Sequence, residues 1–258
     1  MKLKRWLWWP ILLLLTTFAI NGLSTHGWPA YSQNAPSTLG FQVSTLGALN
    51  IGIYEGATTM AELKEHGDFG LGTFEGLDGE MVILDGTVYK IDVDGGVHRV
   101  EDDTETPFSV VSFFHRQRSL PLGGNLSYQE LEQRIDESLP SLNWPYALRI
   151  HGTFPYLKFR SVPKQTPPYP PLLDVVRNEQ RIFEERNVTG TLVGFRLPPY
   201  LSNINVPGYH FHFITSDRRT GGHILDGEFI NPTVELDTLD NWQIMLPDNA
   251  AFKQALLE

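Results

Sequence analysis

The stretch "GYHFHFITSDRRTGGHILDGE", residues 208–228, has the alternation that is typical of a β-hairpin. In an extended strand alternate side chains share a face, so His210 and His212 point one way and the aromatic residues around them point the other. The turn-forming residues "SDRRTGG" follow, and the chain then returns through His223. The pattern predicts that His223 lies on the neighbouring antiparallel strand, within one or two residues of the level of His212.

Three imidazoles that converge from one hairpin indicate a metal site. Three histidine ligands with an open fourth position are typical of catalytic zinc, whereas structural zinc sites are closed and often rich in cysteine. The sequence has no cysteine, so a metal site in this chain must use histidine and carboxylate ligands. We therefore predict a Zn²⁺ ion bound by His210, His212 and His223.

Two other interpretations of the histidines stay open. Cupins share the H-x-H start but carry a glutamate about four residues on, where this sequence has Ser216. A cupin-like metal oxygenase is therefore the weaker hypothesis. The third hypothesis is an exported, non-enzymatic ligand-binding protein, since an H-x-H pair among eight histidines also fits a polar surface.

Composition limits the class of partner. The chain has 258 residues, 41% of them hydrophobic, and a formal net charge of −10. It is long enough to bury a substantial core. Binding to nucleic acid or to an anionic membrane requires clustered Lys and Arg, which this acidic chain lacks. We predict a small-molecule substrate.

The N-terminus has the order of a secretory signal. Lys2, Lys4 and Arg5 precede an apolar run from Trp6 to Ile20, and small or polar residues follow. The apolar run is shorter than the roughly 20 residues that span a bilayer. We expect residues 1–24 to be a cleaved signal peptide, residues 25–38 to be a linker, and the mature protein to be exported without stable membrane association.

The remaining chain predicts a sheet-rich α+β protein with two sheets and a metal site in the cleft between them. The pairs Asp85-Gly86 and Asp94-Gly95 indicate two hairpins. We place an N-terminal sheet domain at residues 39–125 and a C-terminal, metal-binding sheet domain at residues 126–258.

Several elements follow from local patterns. Capping-box spacing at Thr59 and Ser127 predicts helices that begin at these residues. Residues 41–54 predict one or two strands, and residues 146–162 predict a pair of strands. The prolines at the start of residues 167–187 predict a helix that continues to about Asn187.

The sequence resembles the α-acetolactate decarboxylase family over residues 45–247. Three ordered stretches carry the resemblance: "DFGLGTFEGLDGEMVILDGTVYKI" (68–91), "RSVPKQTPPYPPL" (160–172) and "GTLVGFRLPPYLSNINVPGYHFHFITSDRRTGGHILD" (190–226). The resemblance implies an α/β two-domain subunit that forms a homodimer. It also implies zinc at His210, His212 and His223, and decarboxylation of 2-acetolactate to acetoin and CO₂.

The resemblance also implies catalytic residues outside the hairpin. The family's glutamate in "LDGEM" matches Glu80, and its arginine in "RSVPKQ" matches Arg160. The family uses a further glutamate near the C-terminus, for which this chain offers Glu258. Loss of CO₂ from acetolactate leaves an enediolate, for which a divalent ion is an electron sink. Arg160 can orient a carboxylate, and Glu80 can deliver a proton to carbon.

Overall fold

A computed structural model describes residues 38–257 of the chain. The predicted signal peptide, nearly all of the predicted linker and Glu258 lie outside these residues. Within 38–257, no helix is both long enough and apolar enough to cross a bilayer.

The helices and strands follow one another along the chain, first in residues 38–138 and then in the rest. Residues 38–138 contain β1 (Leu39–Val43), α1 (Leu46–Asn50), β2 (Thr58–Thr59), α2 (Met60–Lys64), β3 (Phe69–Thr73), β4 (Glu80–Leu84), β5 (Thr87–Ile91), β6 (Val97–Arg99), β7 (Glu105–Thr106), β8 (Ser109–Ser112), β9 (Arg118–Pro121), β10 (Asn125–Ser127) and α3 (Tyr128–Ser138). The rest contains β11 (Tyr146–Ser161), α4 (Leu172–Asn178), β12 (Arg181–Leu197), a 3₁₀ turn (Pro199–Leu201), β13 (Gly208–Thr215), β14 (Gly221–Ile230), β15 (Thr233–Thr238), β16 (Asn241–Met245) and α5 (Ala250–Gln254).

Two seven-stranded sheets dominate this architecture and confirm the mixed, sheet-rich α+β class. The first has the strand order β16-β1-β8-β3-β4-β5-β6, and the second has the order β10-β14-β13-β12-β11-β15-β9. Strand β11 also pairs with β14. Strand β9, from the predicted N-terminal domain, joins the second sheet, and β16, from the predicted C-terminal domain, joins the first. The domain boundary at residue 125 stays a prediction.

The sheets pack through apolar side chains of β3, β4, β12 and β13. Leu71 and Val82 of the first sheet share one core cluster with Val193 and Ile214 of the second. On the far side of the second sheet, α3 packs on the aromatic face of β13. Because alternate residues of a strand face opposite ways, burial of that aromatic face under α3 directs the histidine face toward the first sheet.

Local signals predicted two helix starts correctly. Thr59 and Ser127 accept hydrogen bonds from the backbone N–H groups of Glu62 and Glu130, and both glutamates reach back to the cap residue. Such reciprocal caps satisfy N–H groups that a helix start otherwise leaves unpaired.

Two predictions from local pattern were wrong. Residues 146–161 form one strand rather than two, and the predicted helix to Asn187 ends at Asn178. Residues 181–197 then form a strand that pairs with β11 over nearly its whole length. Pairing with the distant strand β11 outweighs the weak local preference for a helix here. Residues 41–54 contain one strand and the short helix α1.

Candidate metal centre

The histidine hairpin forms as predicted. Strands β13 and β14 are antiparallel, and His212 lies directly opposite His223. Gly222 of β14 lies against strand β11. A Cβ at this position would lie only 2.4 Å from the backbone oxygen of Arg160. Glycine thus lets β11 approach β14 closely and places Arg160 next to His223.

Three imidazole nitrogens form a nearly equilateral triangle. Nε2 of His210 lies 3.2 Å from Nε2 of His212 and 3.1 Å from Nδ1 of His223, and the latter two atoms are 3.3 Å apart. Zn–N bonds of about 2.0–2.1 Å in a tetrahedral site require nitrogens about 3.3–3.4 Å apart. The three side chains could therefore hold a metal ion, and their spacing is close to that of a tetrahedral site of this kind.

The first sheet fixes the orientation of one ring. Nδ1 of His212 lies 2.7 Å from the backbone oxygen of Met81 in β4. A carbonyl accepts only, so Nδ1 carries the proton and donates, and Nε2 presents its lone pair to the other rings. Metal-binding histidines commonly have such a partner on their second nitrogen.

The protein holds all three rings neutral. Burial lowers the pKa of His212 to about 3; the bond to Met81 opposes this shift, and Arg160 contributes to it. Burial, assisted by the neighbouring rings and by Arg160, also lowers the pKa of His210 and His223 well below the usual value. A metal ligand must be unprotonated, so burial prepares the site for a cation.

Glu80 and Arg160 complete the polar part of the site. Oε2 of Glu80 lies 3.4 Å from Nε2 of His212, and the side chain is buried. Burial raises the pKa of Glu80 to about 7, although Arg160 opposes the shift. Nε and Nη1 of Arg160 are buried and have no hydrogen-bond partner among residues 38–257. Unpaired guanidinium donors in a cavity are suited to bind an anionic ligand.

The side chains of the three histidines, Glu80 and Arg160 all line one small cavity of about 80 Å³. Its opposite side is apolar and is built largely by α1, α4 and the segment before β13, which contribute Leu46, Leu49, Leu172, Val176 and Val206. Sequence patterns did not identify this apolar half. A signal was present, because Leu46 and Leu49 have i,i+3 spacing and Leu172 and Val176 have i,i+4 spacing, and each pair therefore shares one helical face.

The buried histidines make the stability of the metal-free protein depend on pH. Their pKa values are lower in the folded chain than the ordinary 6.5, so their stabilising contribution is complete above pH 6.5 and is lost as pH falls. Glu80 acts oppositely, because its pKa rises from 4.5 to about 7 on folding. Between about pH 4.5 and pH 6.5, unfolding lets the three histidines take up three protons and lets Glu80 release one. Unfolding free energy should therefore fall by at most about 3 kcal/mol per pH unit of acidification.

Calorimetric melting of the metal-free protein at about pH 6 and about pH 5 measures this slope. His223→Gln is the matched control, since it leaves two titrating rings and should halve the slope. Equal melting temperatures at the two pH values would contradict burial of neutral rings.

Comparisons with known proteins agree with the geometry. A family model described as alpha-acetolactate decarboxylase matches residues 41–258. An alpha-acetolactate decarboxylase of Methanosarcina mazei is 46% identical over 229 residues, which cover 89% of this chain and 79% of that protein. One from Raoultella terrigena is 42% identical and covers 87% and 86% of the two chains.

Solved structures give the same result. The crystal structure of alpha-acetolactate decarboxylase from Bacillus subtilis strain 168 superposes with a TM-score of 0.83 at 38% identity, over 85% of this chain and 94% of that chain. A Staphylococcus aureus protein described as similar to alpha-acetolactate decarboxylase superposes with a TM-score of 0.81 at 32% identity, with the same coverage.

Proposed function

We propose that this chain, which belongs to the alpha-acetolactate decarboxylase family, decarboxylates 2-acetolactate to acetoin and CO₂ with a zinc ion. The observation that carries the proposal is the triangle of neutral nitrogens, 3.1–3.3 Å apart, beside the unpaired donors of Arg160. His210, His212 and His223 would hold the cation. When bound, it would stabilise the negative charge that develops on the ketone oxygen as CO₂ leaves.

Arg160 binds and orients the substrate carboxylate in this proposal. Its Nε and Nη1 have no partner among the described residues, so the guanidinium is free to donate hydrogen bonds to the carboxylate oxygens. Hydrogen bonds from Arg160 to the carboxylate would fix the angle between the breaking C–C bond and the plane of the ketone. Electrons from that bond reach the ketone only when the bond stands roughly perpendicular to this plane, so orientation contributes directly to rate.

Glu80 delivers the proton that replaces CO₂. Burial raises the pKa of this carboxyl group to about 7 in the metal-free protein, and an acid whose pKa lies near the working pH is an effective donor. Loss of CO₂ leaves an electron pair in the enediolate, and transfer of the Glu80 proton to carbon forms acetoin. The family's C-terminal glutamate would be supplied by Glu258 as a further catalytic group.

The apolar half of the cavity excludes water from the reaction. Phe108 and Leu77 are buried, and both line the cavity. Low local polarity strengthens every charge interaction in the site and limits competing proton sources. We further propose that the protein is exported through residues 1–24 and acts as a homodimer.

The direct test is the product balance of the purified, zinc-loaded protein with racemic acetolactate. We expect one acetoin and one CO₂ for each acetolactate consumed, without oxygen uptake. Oxygen consumption would instead support a metal oxygenase, and saturable binding without turnover would support a ligand-binding protein.

A further inference from the structure

The mouth of the cavity is apolar and comes from three separate elements. Leu46 lies on α1, Val176 lies on α4, and Val206 lies in the segment 198–207 that leads into the histidine strand. All three side chains line the cavity and remain partly exposed to solvent. A ligand whose polar groups face the histidines must therefore place its alkyl groups against these side chains.

A buried pair of amides holds Val206 in place. Nδ2 of Asn205 donates to Oε1 of Gln42 at 2.9 Å, and Nε2 of Gln42 donates to the backbone oxygen of Ile204 at 2.6 Å. Oδ1 of Asn205 accepts from the backbone N–H of Val206 at 2.7 Å. Both amide side chains are buried, so these bonds replace water as the partners of their polar groups.

The same segment is bonded to α1. The backbone N–H of Leu46 donates to the oxygen of Ile204, and that of Gly47 donates to the oxygen of Asn203, both at 2.8 Å. Val206 and Leu46 are thus fixed relative to each other. The backbone that carries both side chains is therefore held in place by the fold.

We infer that Val206 is a specificity-determining residue that limits the length of the alkyl group on C2 of the hydroxy-keto acid, and that Gln42 and Asn205 position it. This inference rests on the proposed function for the identity of the substrate. With about 80 Å³ of cavity, a single added methylene changes the fit. One methylene in an apolar pocket changes selectivity by roughly 10–200-fold.

The experiment compares acetolactate with its 2-propyl analogue on zinc-loaded protein. Val206→Ala should raise the kcat/KM ratio of the propyl to the methyl substrate by about tenfold, and Val206→Ile should lower it by a similar factor. Val97→Ala is the matched control, because Val97 is another partly exposed valine but lies on β6, outside the cavity. Its ratio should equal that of the wild type.

Asn205→Asp tests the positioning residues. The change keeps an oxygen for the Val206 N–H but removes the donor to Gln42. We expect the selectivity ratio to move in the direction of Val206→Ala while bound zinc stays at the wild-type amount. An unchanged ratio in Asn205→Asp would overturn the positioning role.

A binding measurement separates this inference from the proposed function. Calorimetry can measure Kd values for 2-hydroxy-2-methylpropanoate and 2-hydroxy-2-methylpentanoate, which cannot be decarboxylated in this way. Preference for the propyl compound over the methyl compound should rise in Val206→Ala and fall in Val206→Ile, and this opposite response of the two variants is the reversal that we expect. If that reversal occurs but no variant forms acetoin, the proposed function fails and the role of Val206 stands. If acetoin forms but neither ratio responds to residue 206, the role of Val206 is overturned.

Discussion

Replacement of His212 by alanine is expected to abolish zinc binding and to lower acetoin formation by about 10³-fold or more. Of the three rings, His212 is the one whose second nitrogen is bonded to Met81 of the facing sheet. Its removal takes away one corner of the nitrogen triangle and leaves the Met81 oxygen without this partner. Two remaining histidines leave the site short of the ligands that zinc proteins typically supply.

Metal content by mass spectrometry and acetoin formation should fall together. His98→Ala is the matched control, because His98 is exposed on β6 and pairs with Asp92 rather than with the cavity residues. The control should retain wild-type zinc and turnover, and a chelator should reduce wild-type activity to the level of His212→Ala. Full activity in zinc-free His212→Ala protein would refute the metal mechanism.

The histidine hairpin could be predicted from sequence because all of its information is local. The strand period of two places His210 and His212 on one face, and the turn residues bring His223 back at the same level. The capping boxes at Thr59 and Ser127 are local in the same way. Each of these signals lies within one hairpin or one helical turn.

The elements that were predicted incorrectly depend on distant residues. Residues 181–187 are mostly polar and exposed, and they are a strand because β11 pairs with them. Helix α1 is a single turn capped by Thr45, so its apolar residues were interpreted as a strand. A strand that depends on long-range pairing and a helix of one turn both show little hydrophobic periodicity in their local sequence, so neither can be predicted from it.

The full site also requires contacts that no single stretch encodes. Glu80, on β4, reaches the histidines because the two sheets pack together. Arg160, on β11, reaches them because β11 pairs with β14 within the second sheet. Resemblance to known relatives pointed to both residues, while their local sequence does not. The apolar mouth is a similar case, because α1, α4 and the segment before β13 are far apart in the chain.

Replacement of Glu80 by glutamine should lower kcat by about 10²–10⁴-fold while the zinc content stays unchanged. Glutamine has nearly the same size and shape but carries no transferable proton, so packing between the sheets is preserved. If Glu80 acts as the acid, wild-type kcat should fall as pH rises through the pKa of this residue. Burial raises that pKa to about 7 in the metal-free protein, and a bound cation would move it downward. The variant should lack this fall.

Asp237→Asn is the control that isolates proton delivery from burial of an acid. Asp237 is also fully buried, and burial raises its pKa to about 6, but it lies on β15 and accepts from the backbone N–H of His115. Asparagine keeps an oxygen for that bond, so the control should retain both turnover and pH profile. If Glu80→Gln instead loses zinc in proportion to activity, Glu80 is a metal ligand and the proton must come from another group. If zinc is retained and only the pH-dependent part of kcat disappears, proton transfer from Glu80 limits the reaction.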